Sequence, residues 1–148
     1  MSNESGDAGP MNIATLRVEG TDSALGLVKK ALPYECDAEW RKGDGRRNGN
    51  VYSASGFSVT IADANSPREL EGLLRSFVSL CKEKNIRLSG PDLAAELAVG
   101  FTVGDSDQYV AGVEFRPSEL LSFAECGVTL SVTAYPTSDA ANAEDRST

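Results

Sequence analysis

Apolar residues recur along this chain at two spacings, every second position or every third to fourth, and the switches between them mark its elements. Residues 13–19 alternate, with Ala14, Leu16 and Val18 on one side and Thr15, Arg17 and Glu19 on the other, the pattern of a half-buried strand. Gly20-Thr21-Asp22 then turns the chain and supplies a cap. Over 23–32, Leu25, Val28 and Leu32 line one helix face, with Ala24, Leu27 and Ala31 beside them. Lys29 and Lys30 suit the negative end of that helix, and Pro33 stops it. Residues 33–50 form the longest irregular stretch. Alternation returns at 51–61, where Phe57, Val59 and Ile61 share a face and Ser55-Gly56 marks either a bulge or a tight hairpin.

One helix-start signal occurs twice. Pro67-Arg68-Glu69-Leu70 and Pro117-Ser118-Glu119-Leu120 each follow an alternating stretch and open one with helical spacing. Proline fits the first helical turn, where its missing N–H would have had no partner, and the glutamate favours the positive helix end. Ser66 caps the first of these helices, with Glu69 completing a capping box. Leu70, Leu73, Leu74, Phe77, Leu80 and Cys81 form its apolar stripe. Arg68, Glu71, Arg75 and Lys82 take the water side, with Glu71 and Arg75 an i,i+4 pair. After Gly90-Pro91, residues 92–96 fit one short helical turn. Leu97, Val99, Phe101 and Val103 then alternate into a turn at Gly104-Asp105-Ser106-Asp107, and Tyr109, Ala111, Val113 and Phe115 alternate beyond it, which predicts a hairpin. The second repeated helix runs over 117–126 to a Gly127 cap. A last strand follows, with Val128, Leu130, Val132 and Ala134 buried and Thr129, Ser131 and Thr133 outside. Strands with one apolar and one Thr/Ser face predict an α+β fold: a single antiparallel or mixed sheet of five to six strands, three main helices on one face, and two related strand–helix–strand modules.

The length of 148 residues fits a single domain, placed at 13–136. Segments 1–12 and 137–148 are too polar to bury a core and are expected to be disordered, dispensable tails. The acidic start is unlike a targeting signal and no apolar run reaches the 18 or so residues of a membrane span, so a cytoplasmic protein without membrane contact is expected. Glu4 and Asp7 give the first tail −2, and Asp139, Glu144, Asp145 and Arg146 give the last −2. The formal charge of −8 therefore leaves −4 on the body, which disfavours nucleic-acid binding.

The chain has no histidine, which excludes Ser-His-Asp and Cys-His machinery and the commonest metal ligand. No carboxylate pair stands out as acid and base. Cys36, Cys81 and Cys126 show no C-x-x-C spacing and read as free thiols, Cys36 the most exposed, and neither a metal nor a cofactor is expected. Asp105 and Asp107 lack the rest of a calcium loop and read as turn residues.

The most unusual segment runs from Trp40 to Arg47. Residues 41–47 carry +3 beside the only tryptophan, within an acidic body. Trp40 either anchors a contact or plugs the sheet edge. Arg41, Lys42, Asp44, Arg46 and Arg47 complete the candidate partner-binding set, since Trp and Arg dominate interface hot spots.

Several stretches in order resemble a bacterial domain-of-unknown-function family, number 4279. They are Ala14-Thr15-Leu16-Arg17-Val18 with Gly20, Leu32-Pro33 leading to Trp40-Arg41-Lys42-Gly43-Asp44, the two Pro-x-Glu-Leu helix starts, and a last strand ending at Tyr135-Pro136. The chain departs from that pattern at Asp22-Ser23-Ala24, which lacks a proline, and at Tyr52, where the family has Trp. The resemblance implies a small bacterial α+β protein, in some members an immunity protein that neutralises a toxin encoded by a neighbouring gene. It supplies no catalytic residues. The expected function is thus non-enzymatic protein binding, with a housekeeping scaffold or small-ligand module as the alternative and a carboxylate-dependent enzyme behind both.

Overall fold

The computed structural model describes residues 9–137; the rest of both polar ends lies outside the described residues. The elements run β1 (Asn12–Gly20), α1 (Asp22–Ala31), β2 (Ala38–Trp40), β3 (Ser55–Asp63), α2 (Pro67–Glu83), β4 (Leu93–Val103), α3 (Pro117–Cys126) and β5 (Val128–Pro136). They build one mixed sheet in the order β2-β3-β1-β4-β5, antiparallel except for the β4–β5 pair. The first six elements run β-α-β-β-α-β with strand order 2-3-1-4, the split β-α-β arrangement of ferredoxin-like sheets. To this α3 and β5 add a parallel strand. Both strand–helix–strand modules are present and share β4: β1 lies between β3 and β4, whereas β4 and β5 are direct neighbours.

The caps act locally. Thr21 accepts the Ala24 N–H at 3.3 Å and Ser66 accepts the Glu69 N–H at 3.1 Å. The Glu69 carboxylate returns to the Asn65 N–H at 2.7 Å, one residue outside the expected box. Gly127 ends α3 at φ +89°, where a side chain would be strained. Ala14, Leu16, Val18, Phe57, Val59, Leu97, Val99 and Phe101 face Leu25, Leu70, Leu74, Phe77 and Phe123 from the three helices. On α2 the stripe is turned from the expected one: Val78 is buried while Leu73 is 38 % exposed. Arg75 does more than pair with Glu71, since its guanidinium also bonds the Glu119 carboxylate at 2.5 Å and tethers α3. That bond raises the Arg75 pKa further. Glu119 is held below its usual range, first by the Arg116 N–H and then by Arg75.

Several expectations need correction. Residues 92–96 lie mostly in β4, not a helical turn, because Leu93, Ala95 and Leu97 continue the period-two pattern opposite β1. Residues 109–115 form no strand. A parallel β5 requires a crossover rather than a hairpin, and this stretch is the connector, with Ala111, Val113 and Phe115 half-buried and Tyr109 75 % exposed. On β5 the apolar face is only partly covered, with Val132 50 % exposed and Ala134 exposed. On α1, Leu27 is exposed. The strand expected over 51–61 begins at Ser55. The irregular 33–50 stretch contains the edge strand β2, and the bulge falls between Thr60 and Ala62.

A buried amide pair closes the sheet near the turn after β4. Asn12 Nδ2 donates to Gln108 Oε1 at 3.1 Å, and Gln108 Nε2 donates to Asn12 Oδ1 and to the Thr102 carbonyl, each at 2.9 Å. Asn12 and Thr137, taken above as the inner ends of disordered tails, are instead held in the fold, Asn12 as the buried start of β1 and Thr137 by its N–H on the Val103 carbonyl, while Met11 accepts the Thr102 N–H. Asn12→Ala would leave the Gln108 amide buried without its partner, and the expected loss is about 2 kcal/mol in urea unfolding. A loss under about 0.5 kcal/mol would show the pair contributes nothing.

Candidate functional site

The segment after β2 is a folded loop. Asp44 Oδ2 accepts the Arg41 N–H at 2.8 Å, and Ser55 Oγ accepts that of Lys42 at 3.0 Å. Gly43 donates to the Tyr52 carbonyl at 2.8 Å, Tyr52 to that of Asp44 at 2.9 Å, and Arg46 to that of Asn50 at 2.7 Å. Gly45 and Val51 bridge between these rungs, and Gly49 closes the tip at φ +89°. The sequence signal for this small ladder is Gly43, Gly45 and Gly49 spaced through a polar run.

Register places Trp40 on the open face of the sheet. Trp40 pairs with Gly56, which pairs with Glu19, and Glu19 lies on the Thr15-Arg17-Glu19 face away from the helices. The indole lies over Gly56 and is only 8 % exposed. Tyr52 stacks on it with ring centroids 5.0 Å apart, the Arg17 guanidinium sits 4.3 Å from its centroid, and Arg46 sits 4.9 Å from that of Tyr52. Its Nε1 is the one buried side-chain polar atom among the described residues with no hydrogen-bond partner. Trp40 therefore belongs to a cationic–aromatic cluster that holds the loop on the sheet.

The other candidates divide by role. Asp44 holds the loop turn. Arg41 lies 3.5 Å from Asp22 with both side chains exposed, and Lys42, Arg46 and Arg47 are exposed on the loop. Four cations thus project from a folded loop whose base is an aromatic stack. Arg17 and Tyr52 were outside the expected set. Arg17 is two strands from Trp40, so only the β2-β3-β1 order brings them together.

Further across the same open face, Met11, Ile13, Thr15, Gly100, Thr133 and Tyr135 line a shallow groove of ≈ 290 Å³ between β1, β4 and β5. Gly100 keeps it open: a Cβ there would lie 3.3 Å from the Tyr135 ring. The cleft between Ser66 and Arg116 carries carboxylates, but Glu71 accepts the Glu114 N–H and pairs with Arg75, and Glu119 bonds Arg75 and the Arg116 N–H. Asp105 is likewise engaged, and the Gln108 N–H, the Thr137 hydroxyl and the Asp107 N–H hold its carboxyl below the usual range. Cys36 is half-buried; burial and then Glu39 push its thiol up, which opposes a nucleophilic role. No helix among the described residues is long and apolar enough to cross a membrane. No protein-family model, curated protein or solved structure matches this chain.

Proposed function

We propose that this protein acts by binding another protein, with the cationic loop 41–47 as the contact element and an acidic patch on the partner as its complement. The observation that carries the reading is the exposure of Arg41, Lys42, Arg46 and Arg47 on a loop whose backbone is already bonded in place. A preformed loop loses little further freedom on binding, and +3 of charge in a −4 body is not required for solubility. With the resemblance to family 4279, the most specific form of this reading is an immunity-type protein of a bacterial cytoplasm. It would occlude a toxin encoded by a neighbouring gene, without catalysis or cofactor. The groove at Gly100 favours a second reading, a small-ligand module.

Arg46→Glu combined with Arg47→Glu is expected to weaken the complex with the neighbouring gene's product at least fivefold in titration calorimetry, about 1 kcal/mol. The circular-dichroism melt should fall by no more than about 4 °C, the share expected for the exposed Arg46–Tyr52 contact. Unchanged affinity removes the loop from the interface and leaves the Thr129, Ser131 and Thr133 face as the contact. No complex with that product overturns the immunity reading.

A further inference from the structure

The three cysteines do not behave alike. Cys36 stands apart beside β2, whereas Cys81 at the end of α2 and Cys126 at the end of α3 line one cavity of ≈ 200 Å³. Residues 86–88 fix the two helix ends together: Ile86 donates its N–H to the Cys81 carbonyl at 2.7 Å, and Leu88 donates to that of Cys126 at 2.8 Å. Both thiols are buried, Cys81 1 % and Cys126 4 % exposed, and each bears on the ionisation of the other. Contact with Cys126 and burial together push the Cys81 thiol far up, so the pair does not carry two thiolates at once. Lys82 and Arg87 stand on the cavity wall with Glu125, a net positive rim that attracts an anionic thiol reagent.

We propose that Cys81 and Cys126 are a dithiol that converts reversibly to an intramolecular disulfide, with a small anionic disulfide of the glutathione class as oxidant. The Cys126 thiolate attacks one sulfur of glutathione disulfide, the S–S bond breaks, and one glutathione leaves and takes up a proton. Cys81 then gives its proton to solvent and attacks the Cys126 sulfur, which expels the second glutathione. Two protein thiols are oxidised and one small disulfide is reduced to two thiols, so the exchange balances. The product ties α3, and with it the edge strand β5, to α2 across a loop that contains all of β4.

The test uses the full chain, reduced and then equilibrated with excess glutathione disulfide. Thiols counted after denaturation should fall from three to one, with Cys36 the one that still alkylates. The intact mass should drop by two hydrogens, and non-reducing peptide maps should join the segments that hold Cys81 and Cys126. Closing a loop of this length is expected to raise Tm by about 5–15 °C, reversed by dithiothreitol. Three thiols remaining in the oxidised buffer would overturn the proposal, as would a persistent glutathione adduct without the internal bond, or a disulfide that uses Cys36.

Discussion

Phe77→Ala is expected to cost about 3–5 kcal/mol in denaturant unfolding, while Leu73→Ala four residues earlier costs under about 1 kcal/mol. Phe77 has no exposed surface; it packs in the core and meets the Tyr34 ring at 6.3 Å between centroids. Truncation there removes a full aromatic side chain and leaves a cavity that α2, held at both ends, cannot close. Leu73 is 38 % exposed, so its truncation forfeits only part of a transfer energy and opens no void. Both residues fall on the apolar stripe read from the sequence, and the periodic pattern assigns them the same fate. Equal losses would mean that α2 is rotated toward Leu73, with Val78 rather than Leu73 released to solvent.

The places where sequence and structure agree share one property: the residues that decide them are close along the chain. β1 has a strict alternation, α2 and α3 have caps and proline within four residues of each other, and Gly127 ends α3 by its own φ. The α+β class and the two modules followed from these. What was not legible depends on partners far apart. The 109–115 stretch alternates as a strand does, yet it serves as a connector, because β5 is parallel to β4 and the chain must cross the sheet to reach it. Alternation reports one buried side and says nothing of what buries it. Asn12 looked like the end of a polar tail because its partner, Gln108, lies 96 residues away. The candidate site shows the same division. The charge and glycine content of 41–49 were visible, but Arg17 joins Trp40 only through strand order, and Tyr52 only through the loop ladder.

Gly56→Ala is expected to be the most damaging small substitution at the site, with a loss of about 3 kcal/mol and a red shift in tryptophan emission. A Cβ at residue 56 would lie 2.5 Å from Trp40 Cζ2 and 2.6 Å from the Val18 carbonyl oxygen. The indole can swing away, but the carbonyl belongs to the central strand β1 and cannot move without breaking its ladder. Overpacking at such a point costs about 1–3 kcal/mol, and the upper end applies where the obstacle is backbone. Trp40 is the only tryptophan, so its emission reports directly on whether the ring still lies against the sheet. The control is Gly72→Ala on α2, where a Cβ meets nothing within 4 Å. That change should be neutral or stabilise by about 0.4–1 kcal/mol through the unfolded chain. The comparison also bears on function. If the loop presents its arginines because Trp40 and Tyr52 clamp it to the open face, Gly56→Ala should weaken partner binding although residue 56 touches no partner. Arg46 and Arg47 remain chemically intact in that variant. Unchanged emission and stability would show that the indole does not rest on Gly56, and the loop would then need another explanation for its fixed position.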